Sequence, residues 1–301
     1  MTAPANSIAE FYETAVTQLE SAGLSFGHGC TCAEDEVAWL LSATLDIPFD
    51  ELDKFWSDAL TDEQRATLTQ RLNERCATKT PLAYILGEAW LGPYIFKIDR
   101  RVIVPRSFIA ELLADPELGE ALDAWLSVDT DRVLDLCTGN GSLGILAALA
   151  FPDITVQGLD LSKDALAVAQ INIARHGLEG RMTLAESDGM AQADGVFDLI
   201  LCNPPYVNAH SMSELPAEFK AEPALALAGG DDGMDFIRQM LRDAPAHMSE
   251  HAVLVLEIGH ERDYFEAAFP HLDVVWLSTS AGDDQVLLLT RQAIVEGANK
   301  K

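Results

Sequence analysis

The residues with the most chemical character stand together at Asn203-Pro204-Pro205-Tyr206, directly after the apolar run 196–202. Each proline fixes its own φ near about −65° and gives up its N–H, and each holds the residue before it extended. A rigid corner results, with an Asn side-chain oxygen and a proline carbonyl projecting beside a tyrosine ring. That set suits a planar group bearing N–H bonds, because it offers two acceptors and an aromatic face to stack on. A carboxamide or a nucleobase amino group fits the description. The plain alternative is a loop with a half-buried turn aromatic, and the tetrapeptide alone leaves both open.

A second group lies upstream in Asp135-Leu136-Cys137-Thr138-Gly139-Asn140-Gly141-Ser142-Leu143-Gly144. Glycines at 139 and 141 permit a tight turn and close approach of backbone to a ligand. Gly139, Gly141 and Gly144 have the spacing of a pyrophosphate loop, but Asp135 places negative charge where a pyrophosphate would be repelled and a sulfonium attracted. Asp160, closing the next apolar run, suits ribose hydroxyls. Asp188 offers an acceptor for an adenine amino group, with a helix cap or turn as its simpler reading. Together the three strand-end acids favour S-adenosylmethionine over a dinucleotide.

These groups need a sheet to hold them. Strands are expected over 132–137, 154–160, 182–186, 197–202 and 253–258, with helices over 143–150, 163–176 and 235–246, and a final antiparallel pair over 274–278 and 285–290. That alternation predicts a doubly wound α/β fold with a mostly parallel sheet. The first part of the chain reads as helices: 7–23, 34–45, and a third opened by the capping box Thr61-Asp62-Glu63-Gln64. Between them, 90–99 and 102–104 read as a β-hairpin with its turn near Asp99-Arg100-Arg101, and a helix is expected from about Ser107. The division is therefore a helical domain over 1–80, a linking hairpin over 81–106 and an α/β domain over 107–301.

Composition narrows the partners. Forty-eight acidic against twenty basic residues give a net charge of −28, which repels phosphate backbones and attracts basic partners. No signal pattern and no membrane-length apolar run is present, and five scattered cysteines read as reduced thiols, so a cytoplasmic protein is expected. Cys30-Thr31-Cys32 lacks a second ligand pair, the histidines form no metal or triad spacing, and Asp231-Asp232-Gly233 reads as a turn; no metal is expected. Glu257, before Gly259-His260, could face the site but reads more simply as a strand-end cap.

The segments Asp135 to Gly144, Asp160, Asp188 and Asn203-Pro204-Pro205-Tyr206 closely resemble class I methyltransferases of the HemK type, which methylate the side-chain amide of glutamine. Arg71-Leu72-Asn73-Glu74-Arg75, Pro81-Leu82-Ala83-Tyr84 and Val102-Ile103-Val104-Pro105-Arg106-Ser107 are similar to that family's helix-to-hairpin join. Met212-Ser213-Glu214-Leu215-Pro216, Glu222 to Leu227 and Gly229-Gly230-Asp231-Asp232-Gly233 are similar to its long loop, so the resemblance spans roughly 68–290. It implies a Rossmann-like, seven-stranded mixed sheet and S-adenosylmethionine held by Asp135, Thr138, Gly139, Asn140, Gly141, Asp160, Asp188 and Asn203. The implied catalytic set is Asn203, Pro204 and Tyr206.

One branch of the family modifies release factors in their Gly-Gly-Gln loop, and the other the third large-subunit ribosomal protein. Ser107-Phe108-Ile109, in place of the acidic pair usual in the release-factor branch, and 212–216 resemble the ribosomal-protein branch. Phe108 stands where that branch commonly has proline, and Asn140 where the family often has serine. The expected substrate is thus a basic ribosomal protein, with a release factor as the alternative. The corner is shared with nucleobase amino-methyltransferases; the acidity argues against a nucleic-acid substrate.

Overall fold

The computed structural model describes residues 6–127 and 129–300. The chain divides into two compact units, Met1–Ala89 with Leu215–Glu222, and Trp90–Glu214 with Pro223–Lys301.

The first unit is helical: α1 (Ile8–Ser21), α2 (Ala33–Leu45), α3 (Asp62–Thr78) and α4 (Leu82–Leu86), with a 3-10 turn over Phe49–Phe55. Ser7 caps α1 by accepting from the Glu10 N–H, and α1 buries Ile8, Phe11, Ala15 and Leu19 on one stripe. The capping box at α3 is formed in both directions between Thr61 and Gln64. At the centre of this unit Arg75 is buried and donates to Glu36 (2.5 Å), to Glu218 (3.2 Å) and to the Ser25 carbonyl (3.1 Å).

The hairpin is shorter than expected and turns elsewhere. Its strands are β1 (Glu88–Leu91) and β2 (Tyr94–Lys97), joined by Gly92-Pro93. Gly92 supplies φ +56° at the first turn position, the geometry a two-residue hairpin demands, and Pro93 then fixes the second. Asp99 to Val102 does form a turn, with the Val102 N–H donating to the Asp99 carbonyl. Residues 102–104 after it are not in a strand.

The second unit continues with α5 (Ile109–Ala114) and α6 (Pro116–Asp123), one expected helix broken in two because Asp115 caps the second. There follow β3 (Arg132–Leu136), α7 (Ser142–Ala150), β4 (Thr155–Asp160), α8 (Lys163–Arg175), β5 (Met182–Glu186), β6 (Phe197–Cys202), α9 (Ala209–Glu214) and α10 (Asp235–Asp243). The chain closes with β7 (Met248–Glu257), α11 (Arg262–Ala268), β8 (Val275–Thr279), β9 (Gly282–Thr290) and α12 (Arg291–Asn299). Sequence periodicity missed α12, which Thr290 caps and Ile294 anchors.

The sheet is seven-stranded, in the order β5-β4-β3-β6-β7-β9-β8. All neighbours run parallel except β7 with β9 and β8 with β9. Alternate residues feed two cores: Val133, Leu199, Leu201, Val253 and Val255 on one face, and Leu134, Leu136, Ile200, Leu254 and Leu256 on the other. Burial on both faces is why these strands read as continuous apolar runs. From β3 the chain runs outward to β4 and β5, then returns to β6 on the other side. That reversal opens a crevice beyond the carboxyl ends of β3 and β6, where both chemical groups of the sequence arrive.

Candidate active site

The loop after β3 is built around Asp135. Its side chain is buried, and Oδ2 accepts from the Thr138 hydroxyl (2.5 Å) and the Gly144 N–H (2.9 Å). Burial pushes its pKa up to about 6, with those two donors pulling against the shift. The glycines serve different needs. Gly141 holds φ +84° at the start of α7, while a Cβ on Gly144 would lie 2.7 Å from Met182 and 2.9 Å from Asp135, so the third glycine lets helix and sheet close. Cys137 itself sits at φ +60°. Asn172, fully buried on α8, ties this loop to β2: its Nδ2 donates to the carbonyls of Asn140 (2.8 Å) and Lys97 (3.0 Å), and its Oδ1 accepts from the Lys97 N–H (2.7 Å).

The cleft opens in front of that frame. Gly139, Asp160, Asp188, Asn203 and Pro205 all line it. Asp160 Oδ2 accepts from the Gly139 N–H and Oδ1 from the Ser162 N–H, both at 2.8 Å, so the acid holds the two loops together while facing the cleft. Burial raises its pKa against those donors. Asp188 is exposed and receives one bond from Gln239 of α10 (3.3 Å). Asp135, Thr138, Asn140 and Gly141 stand behind the lining and shape it. The charge of Asp135, expected to face a ligand, is spent on its own loop.

At the end of β6 the Asn203 side chain meets Glu257 at the end of β7. Asn203 Nδ2 donates to Glu257 Oε1 (3.2 Å), and Glu257 Oε2 accepts from the Ser107 hydroxyl (2.5 Å) and the Phe108 N–H (2.9 Å). Glu257 is buried, and burial pushes its pKa up to about 7 against those donors. Among the described residues, Asn203 Oδ1 and the Pro204 carbonyl accept no hydrogen bond. The corner therefore presents two free acceptors. Tyr206 is gripped by glycines: a Cβ on Gly259 would fall 2.7 Å from its ring, and one on Gly233 would collide with its carbonyl oxygen. Further along, Asn208 Nδ2 donates to both oxygens of buried Glu261 (2.9 and 3.1 Å), fastening the exit of the corner to the β7–α11 turn.

The structure thus brings the two sequence groups to one cleft. Glu257, for which the cap reading stood ahead of a place at the site, is a partner of Asn203; its signal is an acid directly after the apolar run 252–256. Asn172 was missed, although an amide on the apolar stripe of α8, among Ala165, Val168, Ala169 and Ile173, marks a buried polar group needing partners.

The methyltransferase small domain model matches residues 118–231. Over 283 residues the chain is 49% identical to the ribosomal protein uL3 glutamine methyltransferase of Bordetella pertussis, covering 93% of each chain. The chain belongs to the ribosomal protein uL3 glutamine methyltransferase family. Members from Burkholderia pseudomallei (44% identical, 95% of each chain) and Neisseria meningitidis serogroup B (42%, 96% of this chain and 94% of that one) match over the same extent. The family match runs through both units. Among solved structures, the hMettl16 catalytic domain in complex with MAT2A 3'UTR hairpin 6 aligns with a TM-score of 0.50 at 10% identity, covering 76% of this chain and 81% of that one. At that identity the likeness concerns the class I methyltransferase fold alone.

Proposed function

We propose that this chain transfers a methyl group from S-adenosylmethionine to the side-chain amide nitrogen of a glutamine in ribosomal protein uL3. The observation that carries it is the pair of unengaged acceptors, Asn203 Oδ1 on a residue that lines the cleft and the carbonyl of the buried Pro204 that follows it. Family membership supplies the substrate.

The cleft fits the cofactor. At Gly139 a Cβ would meet only the Cys137 carbonyl, at 3.9 Å, so the backbone is open to a ligand there. Asp160 offers acceptors for ribose hydroxyls and Asp188 one for an exocyclic amine. When bound, the cofactor supplies an electrophilic methyl group on a sulfonium.

A carboxamide nitrogen is a poor nucleophile because its lone pair is delocalised into the carbonyl. Asn203 Oδ1 and the Pro204 carbonyl accept its two N–H bonds and fix its orientation, while Tyr206 packs on the amide plane. Positioning of this kind contributes on the order of 7–11 kcal/mol at best. As the new N–C bond forms and the S–C bond breaks, the nitrogen gains positive charge, which the two acceptors stabilise more than they do the ground state. One N–H proton then leaves to solvent. The acidic surface suits a basic protein substrate and disfavours RNA.

The test is radiolabelled methyl transfer with unmethylated ribosomes, purified uL3, release factor and RNA offered side by side. Label in uL3 that falls on the order of 10²–10³-fold in kcat with Asn203→Ala, at unchanged cofactor affinity, is the expected result. Label in release factor alone overturns the substrate, and label in RNA overturns the amide chemistry.

A further inference from the structure

An asparagine amide has an acceptor end and a donor end of nearly the same shape, so a site that needs the oxygen must have something that decides which end faces inward. Here the only described partner of the Asn203 side chain is Glu257. The carboxylate can only accept when ionised, and its donors include Asn203 Nδ2, the Ser107 hydroxyl and the Phe108 N–H. Ser107 is in turn held by its place before α5, where the Ile109 N–H donates to its oxygen (3.2 Å).

We infer that Glu257 is a positioning residue that fixes the Asn203 amide with Nδ2 turned to the protein and Oδ1 turned to the glutamine substrate. The inference rests on the function proposed above and adds a residue to it. The same device recurs five residues on, where Glu261 takes Asn208 Nδ2 and leaves Asn208 Oδ1 to accept from the Ser211 N–H (2.9 Å). Two buried acids at the end of β7 and in the turn after it thus set the two asparagines that bracket the corner. Glu257 does not touch the reacting atoms; it acts through Asn203.

Glu257→Gln sharpens the point because it changes one group and almost no volume. The glutamine has one oxygen for two demands. The Phe108 N–H is backbone and cannot turn, so the oxygen goes to it and the new NH₂ faces Asn203. Asn203, only half-buried, then rotates its amide to present Oδ1 to Gln at 257 and its own NH₂ to the cleft. The site loses its acceptor without losing a side chain. Asn203→Asp alone sets a second carboxylate against a buried one, which the like charges resist. The two changes combined restore the pattern, since Asp at 203 accepts from the Gln at 257 with one oxygen and faces the cleft with the other.

The experiment measures kcat, KM for uL3 and S-adenosylmethionine affinity in mildly alkaline buffer for the full chain, the two single variants and the double. Alongside, the Asn203 side-chain NH₂ resonance, assigned by its loss in Asn203→Asp, is followed by NMR for exchange with solvent. The expected result is a kcat lower by on the order of 10²-fold in Glu257→Gln with cofactor affinity retained, a double variant at least about tenfold faster than either single, and an Asn203 NH₂ that shifts and loses protection in Glu257→Gln. Wild-type kcat in Glu257→Gln, or a double variant no better than the singles while cofactor still binds, overturns the inference. Should the wild-type chain leave uL3 unlabelled, the proposed function fails and the NMR arm decides this inference by itself: an Asn203 resonance indifferent to Glu257→Gln overturns it.

Discussion

Both units of the molecule bury carboxylates, and they neutralise them in different ways. In the helical unit Glu36 and Glu218 share the Arg75 guanidinium, and His28 Nε2 stands 3.7 Å from Glu222. In the methyltransferase unit Asp135 and Glu257 form no ion pair among the described residues; their partners are N–H groups, hydroxyls and one amide. In the helical unit the pKa direction follows only for Glu218; Glu36 stays above its ordinary value, because burial outweighs its bond to Arg75. Burial pushes Glu218 up, but the Ser25 N–H and Arg75 outweigh it and leave the group below its ordinary value. Asp135 and Glu257 stay well above theirs, because their neutral donors, and for Glu257 also the charge of Arg106, do not offset burial. The contrast has a reason in the chemistry. A guanidinium hydrogen-bonded directly to Glu257 would take the oxygen that holds Asn203. Arg101, which does line the cleft, is itself paired with Asp99 (2.7 Å).

The sharpest way to break this comparison is Arg75→Ala. It strands Glu36 and Glu218 without a counter-charge, so unfolding free energy should drop by about 3–5 kcal/mol in a denaturant titration. A loss under about 1 kcal/mol would mean that the two acids are already protonated and the ion-pair account is wrong. Next in size is the pH dependence of stability, which has opposite signs for Glu257 and Glu218. Glu257 binds its proton more tightly folded than unfolded, so its contribution is present below pH 4.5 and is lost as pH rises towards about 7. Asp135 behaves the same way between 3.8 and about 6. Across that window wild type should lose on the order of 2–3 kcal/mol relative to Glu257→Gln, read as the gap between their stability–pH curves. Glu218, with its pKa lowered, contributes above its ordinary value of 4.5 and loses that contribution as pH falls further.

Asn172→Ala tests a buried polar group that carries no charge. It orphans the Lys97 N–H and two carbonyls, and should cost about 1–3 kcal/mol, less than Arg75→Ala. Calorimetry of the two variants under one set of conditions ranks them directly. The smallest effect belongs to Asp188→Ala, an exposed acid at the mouth of the cleft. Cofactor affinity should weaken by about 1 kcal/mol or less with kcat at saturation unchanged, measured by titration and by steady-state rates.

How much of this was legible in the sequence depends on the range of the signal. Strand–helix alternation is local, so five of the strands were placed within a residue or two, and β5 and β6 to the residue. The hairpin turn was misplaced because Asp99-Arg100-Arg101 is a true turn in the wrong element, while Gly92-Pro93 lay inside an otherwise apolar run. Gly139, Asp160, Asp188 and Asn203 reach the cleft as their strand-end positions predicted. Asp135 points inward because its oxygen is needed by Gly144, a contact across nine residues that spacing alone does not reveal. The link between Asn203 and Glu257 spans 54 positions and depends on β6 lying next to β7. Strand order has no local signature. Family membership, by contrast, was readable from the motifs, since these hold the same chemistry wherever the chain carries them.

The segment Leu215–Glu222 gives the architecture a practical consequence. It leaves the methyltransferase unit after α9, carries Glu218 and Glu222 into the helical unit, and returns at Pro223 to form part of the cleft wall. Cutting the chain between Ala89 and Trp90 would therefore not free a self-sufficient catalytic module, because this strap would keep its two acids and lose Arg75, Ser25 and His28. Exchange of the helical unit between relatives has the same requirement: residues 1–89 and 215–222 are a single heritable part, and a chimera must move both together.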